Sequence, residues 1–152
     1  MGYIETLRGL VGNIPLILVR PSVLIVNDQR EVLLVRYKDN TWGVPGGMME
    51  LGESVEECAR REVREEIGIE LKQLQLYGVF SGDQLYTQLR NGDQYYNVVI
   101  GYIYSQYEGE LLPDGIEILE AKFYNPKMLP ESTDPYLKRI IQENIQALAS
   151  LL

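Results

Sequence analysis

The segment 47–69 constrains this chain more than any other part of its sequence. Ser54 followed three residues later by Glu57 forms a capping box, so a helix should begin directly after Ser54. Gly68 stands where a glycine commonly ends a helix. The segment therefore predicts a glycine-containing loop that leads into a helix over 54–67, and the rest of the fold must pack against that helix.

One face of this helix is apolar, yet it also carries a carboxylate. At about 100° per residue, aliphatic side chains spaced by four form one stripe: Val55, Ala59, Val63 and Ile67. Glu66 projects about 40° from the centre of that stripe, and Glu62 and Glu65 lie along its rim. A buried carboxylate costs on the order of several kcal/mol unless it is paired or bound to a metal. An ordinary charged helix with Glu57–Arg61 and Arg61–Glu65 pairs is the alternative, and it does not explain Glu66.

Three carboxylates on one rim indicate a site for a hard divalent cation. Oxygen ligands without His or Cys favour Mg²⁺ or Mn²⁺ over zinc. The chain has no histidine and one cysteine, Cys58, which excludes Ser-His-Asp and Cys-His nucleophile systems and His-ligated zinc. Acid–base chemistry must therefore use Glu, Asp, Lys or Tyr. The loop 41–47 is rich in Gly and Pro, and Gly46 there can turn its carbonyl toward a metal.

The remaining pattern mixes strands with two further helices, which indicates an α/β sandwich. Residues 15–26 and 31–37 are predicted to form a hairpin around a turn at 27–30. Turns are also expected at 90–93 and 113–115. The other predicted elements are a short helix at 3–10, strands at 72–80, 94–107 and 120–125, and a C-terminal helix at 134–151. Apolar residues at helical spacing support the last of these: Leu137, Ile140, Ile141, Ile145 and Leu148.

The segment 47–69 resembles the Nudix box, G-x5-E-x7-R-E-U-x-E-E-x-G-U, in which U is a bulky aliphatic residue. Gly47, Glu53 and the run 61–69 match it without a departure. Trp42 and the Pro-Gly-Gly after it resemble the segment that commonly precedes the box. The resemblance implies an α/β fold of the Nudix type, an α/β/α sandwich with a mixed β-sheet between helices.

The resemblance also implies a reaction and a set of roles. Nudix hydrolases use Mg²⁺, with Mn²⁺ as a substitute, to cleave the pyrophosphate bond of a nucleoside diphosphate linked to another group. Glu53 would orient a metal-bound water or hold a second metal, and Arg61 would pair with Glu53 or another box carboxylate. Glu65 would be a ligand or a group that positions water, which a carboxylate would deprotonate. By position, the metal ligands would be the carbonyl of Gly46 and the carboxylates of Glu62, Glu65 and Glu66.

The general base can lie outside the box in some family members, on a loop near the C-terminal strand. Glu117 and Glu120 occupy that region here, and a solvated surface role is the alternative for each. For phosphate recognition, Arg36 is the first candidate because it ends the strand that leads to the Trp42 loop. Arg20 is the second, and each arginine has a solvated surface role as its alternative.

Tyr86 is a candidate for stacking on a nucleobase. It lies seventeen residues past the box, near where some dinucleoside-polyphosphate hydrolases carry a tyrosine. The chain contains 11 tyrosines, and tyrosine also favours strands simply as a packing residue. The group attached to the diphosphate therefore stays open at this point.

The whole chain limits the classes of partner. Its 152 residues suit one domain over 1–152. The net charge of −8 makes it a poor candidate for binding duplex nucleic acid through phosphates, so a small-molecule nucleotide is the expected ligand. No secretory signal or membrane span is expected, and a single cysteine agrees with the cytoplasm. Because dimers are frequent in the family, the resemblance favours a homodimer.

Two other functions compete with hydrolysis. A Nudix-fold sensor would bind a nucleotide without cleaving it, but such a protein has no need to keep every box carboxylate. Isomerisation of isopentenyl diphosphate, a related chemistry, would need further acid–base groups such as Cys and His, and the chain has no His. The intact box therefore favours the hydrolase.

Overall fold

The computed structural model describes residues 2–150, apart from the side chains of 145 and 147–149. Helices stand before, between and after two runs of strands, and a short 3₁₀ turn lies at Asp83–Leu85. In chain order the elements are α1 (Tyr3–Val11), β1 (Leu16–Ile25), β2 (Val32–Tyr37), β3 (Trp42–Gly43), α2 (Val55–Ile67), β4 (Gln75–Phe80), β5 (Tyr86–Gln88), β6 (Gln94–Tyr104), β7 (Ile118–Tyr124) and α3 (Pro135–Ala149).

The strands form two sheets. In the mixed sheet, β6 is central: β1 runs parallel to it, and β4 and β5 pair with it antiparallel. The second sheet is antiparallel and has the order β3-β2-β7. The mixed sheet expected from the family resemblance is therefore present, accompanied by a second, smaller sheet.

Helices cover both faces of the strands. Because successive side chains of a strand point to opposite faces, β1 contributes to two separate clusters. Val23 and Ile25 pack in a cluster that contains the apolar stripe of α2, whereas Leu24 packs with Ile141 of α3 and with Trp42. These two clusters make the α/β/α sandwich, which confirms the predicted fold class.

The predicted hairpin between 15–26 and 31–37 is wrong. The turn itself is present, with the Asn27 N–H 3.1 Å from the Glu31 carbonyl, and the two strands share one isolated bridge between Val26 and Val32. Beyond it they diverge, because β1 pairs along its length with β6 and β2 pairs with β7. Continuous aliphatic runs such as these are typical of strands buried on both faces, and periodicity does not identify their partners.

Other boundaries differ by a few residues. The predicted strands at 72–80, 94–107 and 120–125 correspond to β4, β6 and β7, and the predicted turn at 90–93 joins β5 to β6. Two short strands were not anticipated, β3 inside the predicted loop and β5 before that turn. For the C-terminal helix, residue 151 and the side chains of 145 and 148 lie outside the described residues. No helix of the part described here is long and apolar enough to cross a membrane.

Candidate metal and active site

Helix α2 begins and ends as its sequence predicts. The Ser54 hydroxyl accepts the Glu57 N–H at 3.1 Å, and the Glu57 carboxylate accepts the Ser54 N–H at 3.0 Å. Gly68 ends the helix in the left-handed conformation with φ 75°, which glycine adopts without strain. Because both ends are fixed, the glutamates of the last two turns have a defined position.

The glycine loop lies directly between β1 and α2. The Gly47 N–H donates to the Pro21 carbonyl at 3.2 Å. A Cβ on Gly47 would lie 2.5 Å from both carboxylate oxygens of Glu62, and one on Gly46 would lie 2.8 Å from the Ser22 Cα. At Gly46 the obstacle is backbone, whereas at Gly47 a side chain would displace the Glu62 carboxylate. The two glycines therefore let the loop backbone lie against the carboxylates of α2.

Glu66 lies inside the buried face of α2, as the helical geometry predicts. It is 3% exposed, and its Oε1 accepts the Gly46 N–H at 3.0 Å. Burial raises the pKa of Glu66 to about 8, and the charge of Glu62 adds to that effect, while Arg20 and the Gly46 N–H oppose it. The positive charge and hydrogen bonds that the protein supplies are thus too weak to offset the cost of burying the ionised carboxylate.

Arg61 connects the other box carboxylates. It makes a two-pronged ion pair with Glu53, in which the Nη2–Oε1 distance is 3.0 Å, and its Nη1 lies 3.0 Å from Glu62 and 3.2 Å from Glu65. The hydrogen bond from Arg61 is the largest influence that lowers the pKa of Glu53, to about 2. The predicted pairing of Arg61 with Glu53 is confirmed. Arg61 therefore fixes the orientation of these three carboxylates relative to one another.

Arg20 reaches the same loop from β1. Its Nη2 donates to the Gly46 carbonyl and to the Tyr37 hydroxyl, each at 3.3 Å, and that hydroxyl lies 3.3 Å from the Val44 carbonyl. Burial raises the pKa of Tyr37 to about 12. Sequence reasoning missed Tyr37. No sequence pattern marks Tyr37; only the fold shows that a Cβ on Gly43 would lie 2.8 Å from its ring.

The two candidate bases have different surroundings. Glu120 lies opposite Arg36 in the β2–β7 pairing and forms an ion pair with it at 3.1 Å, so the first candidate for phosphate recognition is already paired. Glu117 is exposed. Its charge adds to the pKa increase of Glu66.

Asp114 fixes the loop that carries Glu117, and sequence reasoning did not single it out. Its carboxylate accepts the N–H groups of residues 116, 117 and 118 at 2.9 to 3.0 Å, and these bonds lower its pKa below the ordinary value despite opposing desolvation. Its own N–H donates to the Glu66 carbonyl at 3.0 Å. The predicted Pro-Asp-Gly turn was the available signal, because Asp often bonds to the backbone that follows it.

Tyr86 lies on β5 and is paired with Tyr96 of β6. Its hydroxyl donates to Gln94 at 2.6 Å, and its ring packs against Tyr96 with centroids 5.2 Å apart. The side chain is 39% exposed. These contacts leave part of the ring open, and the stacking role stays a prediction.

The chemistry of the donors fits Mg²⁺ or Mn²⁺. The groups near Gly46 are carboxylate and carbonyl oxygens, which these ions prefer, and burial raises the pKa of the Cys58 thiol to about 12, so it is a poor ligand. As the side chains stand, no set of three or more His, Cys, Asp or Glu within residues 2–150 converges in a metal-holding arrangement. Arg61 and the Gly46 N–H hold the glutamates instead, so metal binding requires these carboxylates to change partners.

The family follows from comparison with known proteins. A model of the NUDIX domain matches residues 18–143, which includes the loop, α2 and both sheets. The chain belongs to the Nudix family, and by family it is a Nudix hydrolase.

Relatives carry several substrate names. The chain is 30% identical over 122 residues to a candidate 8-oxo-dGTP diphosphatase of Bacillus subtilis (strain 168), covering 80% of this chain and 75% of that protein. It is 32% identical over 111 residues to an ADP-ribose pyrophosphatase of Methanocaldococcus jannaschii, covering 70% and 62%. It is 29% identical over 114 residues to the NAD-capped RNA hydrolase NudC of Vibrio vulnificus, covering 72% of this chain and 40% of that longer protein. The exclusion of nucleic acid therefore stays a prediction.

Solved structures support the fold. A MutT NUDIX hydrolase from Burkholderia pseudomallei aligns with a TM-score of 0.68 at 26% identity, covering 84% of this chain and 96% of that one. A UDP-X diphosphatase aligns with a TM-score of 0.68 at 24% identity, covering 97% and 70%. Both alignments support the Nudix fold of this chain.

Proposed function

We propose that this protein hydrolyses the pyrophosphate bond of a nucleoside diphosphate linked to another group, with Mg²⁺ as cofactor and Mn²⁺ as a substitute. The observation that carries the proposal is the burial of Glu66, a carboxylate of the family motif. It accepts a hydrogen bond from the Gly46 N–H, yet its pKa is raised because the nearby positive charge does not offset the burial. A purely structural role would not favour an acidic side chain at this buried position. A metal ion at the site would compensate that charge.

We assign the metal ligands to the Gly46 carbonyl and to Glu62, Glu65 and Glu66. When bound, the metal neutralises phosphate oxygens and makes a water molecule more acidic. Glu53 and Arg61 act by orienting: Arg61 is anchored to Glu53, and its Nη1 keeps Glu62 and Glu65 close to each other until a metal takes them as ligands. The ligand set therefore depends on an arginine that does not itself contact substrate.

Glu117 is our choice of general base. Glu117 is exposed and has no arginine pair among its described contacts, whereas Glu120 is paired with Arg36. The bonds of Asp114 hold the Glu117 backbone over the end of α2. For binding of the diphosphate we place Arg20 ahead of Arg36, because Arg36 is already paired with Glu120. Tyr86 stays a candidate for stacking on the nucleobase.

Three further expectations belong to this proposal. The chain acts as one domain over 1–152, it forms a homodimer, and it works in the cytoplasm. The basis is the length, the family resemblance and the single cysteine, Cys58, which is buried. A sedimentation measurement of the purified chain tests the homodimer.

A substrate panel tests the function. Wild-type protein with Mg²⁺ is incubated with 8-oxo-dGTP, other dNTPs, ADP-ribose, NADH, nucleotide sugars, dinucleoside polyphosphates and an NAD-capped RNA. At least one should be cleaved at its pyrophosphate bond, and Glu66→Gln should lose that activity. Glu70→Gln is the matched control, since Glu70 is an exposed residue just after α2. If no compound is cleaved and one raises the melting temperature, the protein is a sensor.

A further inference from the structure

Arg20 lies outside the family motif, yet it contacts the backbone atom on which the metal site depends. Its Nη2 is 3.3 Å from the Gly46 carbonyl oxygen and 3.3 Å from the Tyr37 hydroxyl oxygen. The N–H of Gly46 is bonded to Glu66. One glycine thus connects the guanidinium of β1 to the buried carboxylate of α2.

Arg20 is half-buried where it meets the loop. Its guanidinium therefore lies where water screens charge less than at a fully exposed site. A divalent cation bound to the Gly46 carbonyl would lie close to this positive charge.

A guanidinium and a divalent cation cannot both bind closely to the Gly46 carbonyl oxygen. Mg²⁺ binds oxygen at about 2.0 to 2.1 Å, and Arg20 donates to this oxygen from 3.3 Å. Two cations at such separations repel strongly in a site with limited access to water. One of them must move, and Arg20 is the one with a flexible side chain.

We propose that Arg20 is a positioning residue that competes with the divalent cation for the Gly46 carbonyl, and that it moves to a phosphate oxygen when metal and diphosphate bind together. This inference rests on the proposed function. It makes the two ligands cooperative: metal alone must displace Arg20, whereas a diphosphate gives the displaced guanidinium a new partner. Reciprocal coupling of this kind is required by linkage.

Binding of Mg²⁺ by calorimetry at pH 9, without turnover, tests the competition. Arg20→Gln should bind Mg²⁺ roughly five- to tenfold more tightly than the wild type, since the competing charge is gone. Arg20→Lys, which keeps the charge, should stay close to the wild type. Arg64→Gln is the matched control for loss of one positive charge, because Arg64 pairs at 3.8 Å with the exposed Glu70; its affinity should change less than twofold.

Addition of α,β-methylene-ADP, which cannot be hydrolysed at that bond, tests the second step. The analogue should tighten Mg²⁺ binding more in the wild type than in Arg20→Gln. Damage to the fold would weaken Mg²⁺ binding, so a tighter complex cannot arise from it. Arg20→Met gives a second variant with the same expectation if Arg20→Gln does not fold.

The outcomes separate the two proposals. Suppose that the wild type binds Mg²⁺ and that Glu66→Gln does not. If Arg20→Gln and Arg20→Met then bind Mg²⁺ no more tightly than the wild type, the proposed competition is wrong and the metal site stands. An analogue effect that is equal in wild type and Arg20→Gln overturns the transfer to phosphate. Failure of the wild type to bind Mg²⁺ under any of these conditions overturns both proposals.

Discussion

The loop and helix α2, residues 44–68, differ sharply from the outer face of the mixed sheet. In the first region each glutamate of the motif has a partner, and Glu66 is 3% exposed. On the sheet, Ile17 is 77% exposed, Val79 is 58% exposed and Tyr86 is 39% exposed. The first region is thus constrained by packing and charge, while the second is constrained mainly by its backbone pairing.

We associate the first region with the chemistry of the reaction and the second with the choice of substrate. Relatives named for 8-oxo-dGTP, ADP-ribose and NAD-capped RNA all align with this chain, so related sequences of one family are named for different attached groups. Under the proposed function, the constrained region holds the groups that bind the metal and the diphosphate. Parts with fewer mutual contacts can vary without loss of the fold.

The largest effect on hydrolysis should come from adding a side chain where the loop lies against helix α2. Gly47→Ala places a Cβ 2.5 Å from the Glu62 oxygens, so hydrolysis should fall on the order of 100-fold or more. Gly9→Ala is the matched control, because nothing lies within 4 Å of its added Cβ. Steady-state rates measure both. Equal rates for Gly47→Ala and wild type would show that the close approach is not needed.

The pH dependence of stability should be the next largest effect. In EDTA, folded protein keeps a proton on Glu66 between the ordinary pKa of 4.5 and about 8, whereas unfolded chain has released it. The free energy of unfolding should therefore fall as pH rises through this window, by roughly a few kcal/mol. Urea unfolding at pH 5, 7 and 9 measures the change.

Three conditions check the origin of that pH dependence. Glu66→Gln should remove most of the decrease, and Glu70→Gln should not. Saturating Mg²⁺ should reduce it as well, because a ligand that binds the ionised carboxylate stabilises the folded state. A decrease that persists unchanged in Glu66→Gln would mean that other groups titrate in this window.

Loss of the orienting arginine should have a smaller effect. Arg61→Gln breaks the pair with Glu53 and frees Glu62 and Glu65. We expect hydrolysis to fall about tenfold and the free energy of unfolding to fall by about 1–3 kcal/mol. Rates and urea unfolding measure the two effects, and Arg64→Gln should change neither appreciably. A rate loss as large as that of Gly47→Ala would instead suggest direct contact with substrate.

The smallest effect should come from the outer sheet face. Val79→Thr alters a side chain that is 58% exposed, so the free energy of unfolding should stay within about 0.5 kcal/mol of wild type. The rate with a fixed substrate should stay within about twofold. A larger change in KM would place this face in the substrate site and weaken the contrast between the regions.

The site was more predictable than the sheet connections. A capping box, a glycine stop and helical angles placed Glu66 in the buried face, because these are local rules that act within one helix. The partners of β1 and β2 depend on contacts with β6 and β7, far along the chain. Tyr37 and Asp114 were missed for the same reason: their roles arise from backbone atoms that only the fold brings near.

Direct binding of Mn²⁺, followed by electron paramagnetic resonance of the free ion, tests the central claim. Wild type and Glu70→Gln should bind Mn²⁺ with similar affinity, and Glu66→Gln should bind it on the order of tenfold or more weakly. The same loss should appear in the pyrophosphate hydrolysis of the best substrate. Unchanged Mn²⁺ binding by Glu66→Gln would contradict the claim that the buried carboxylate of α2 holds the metal.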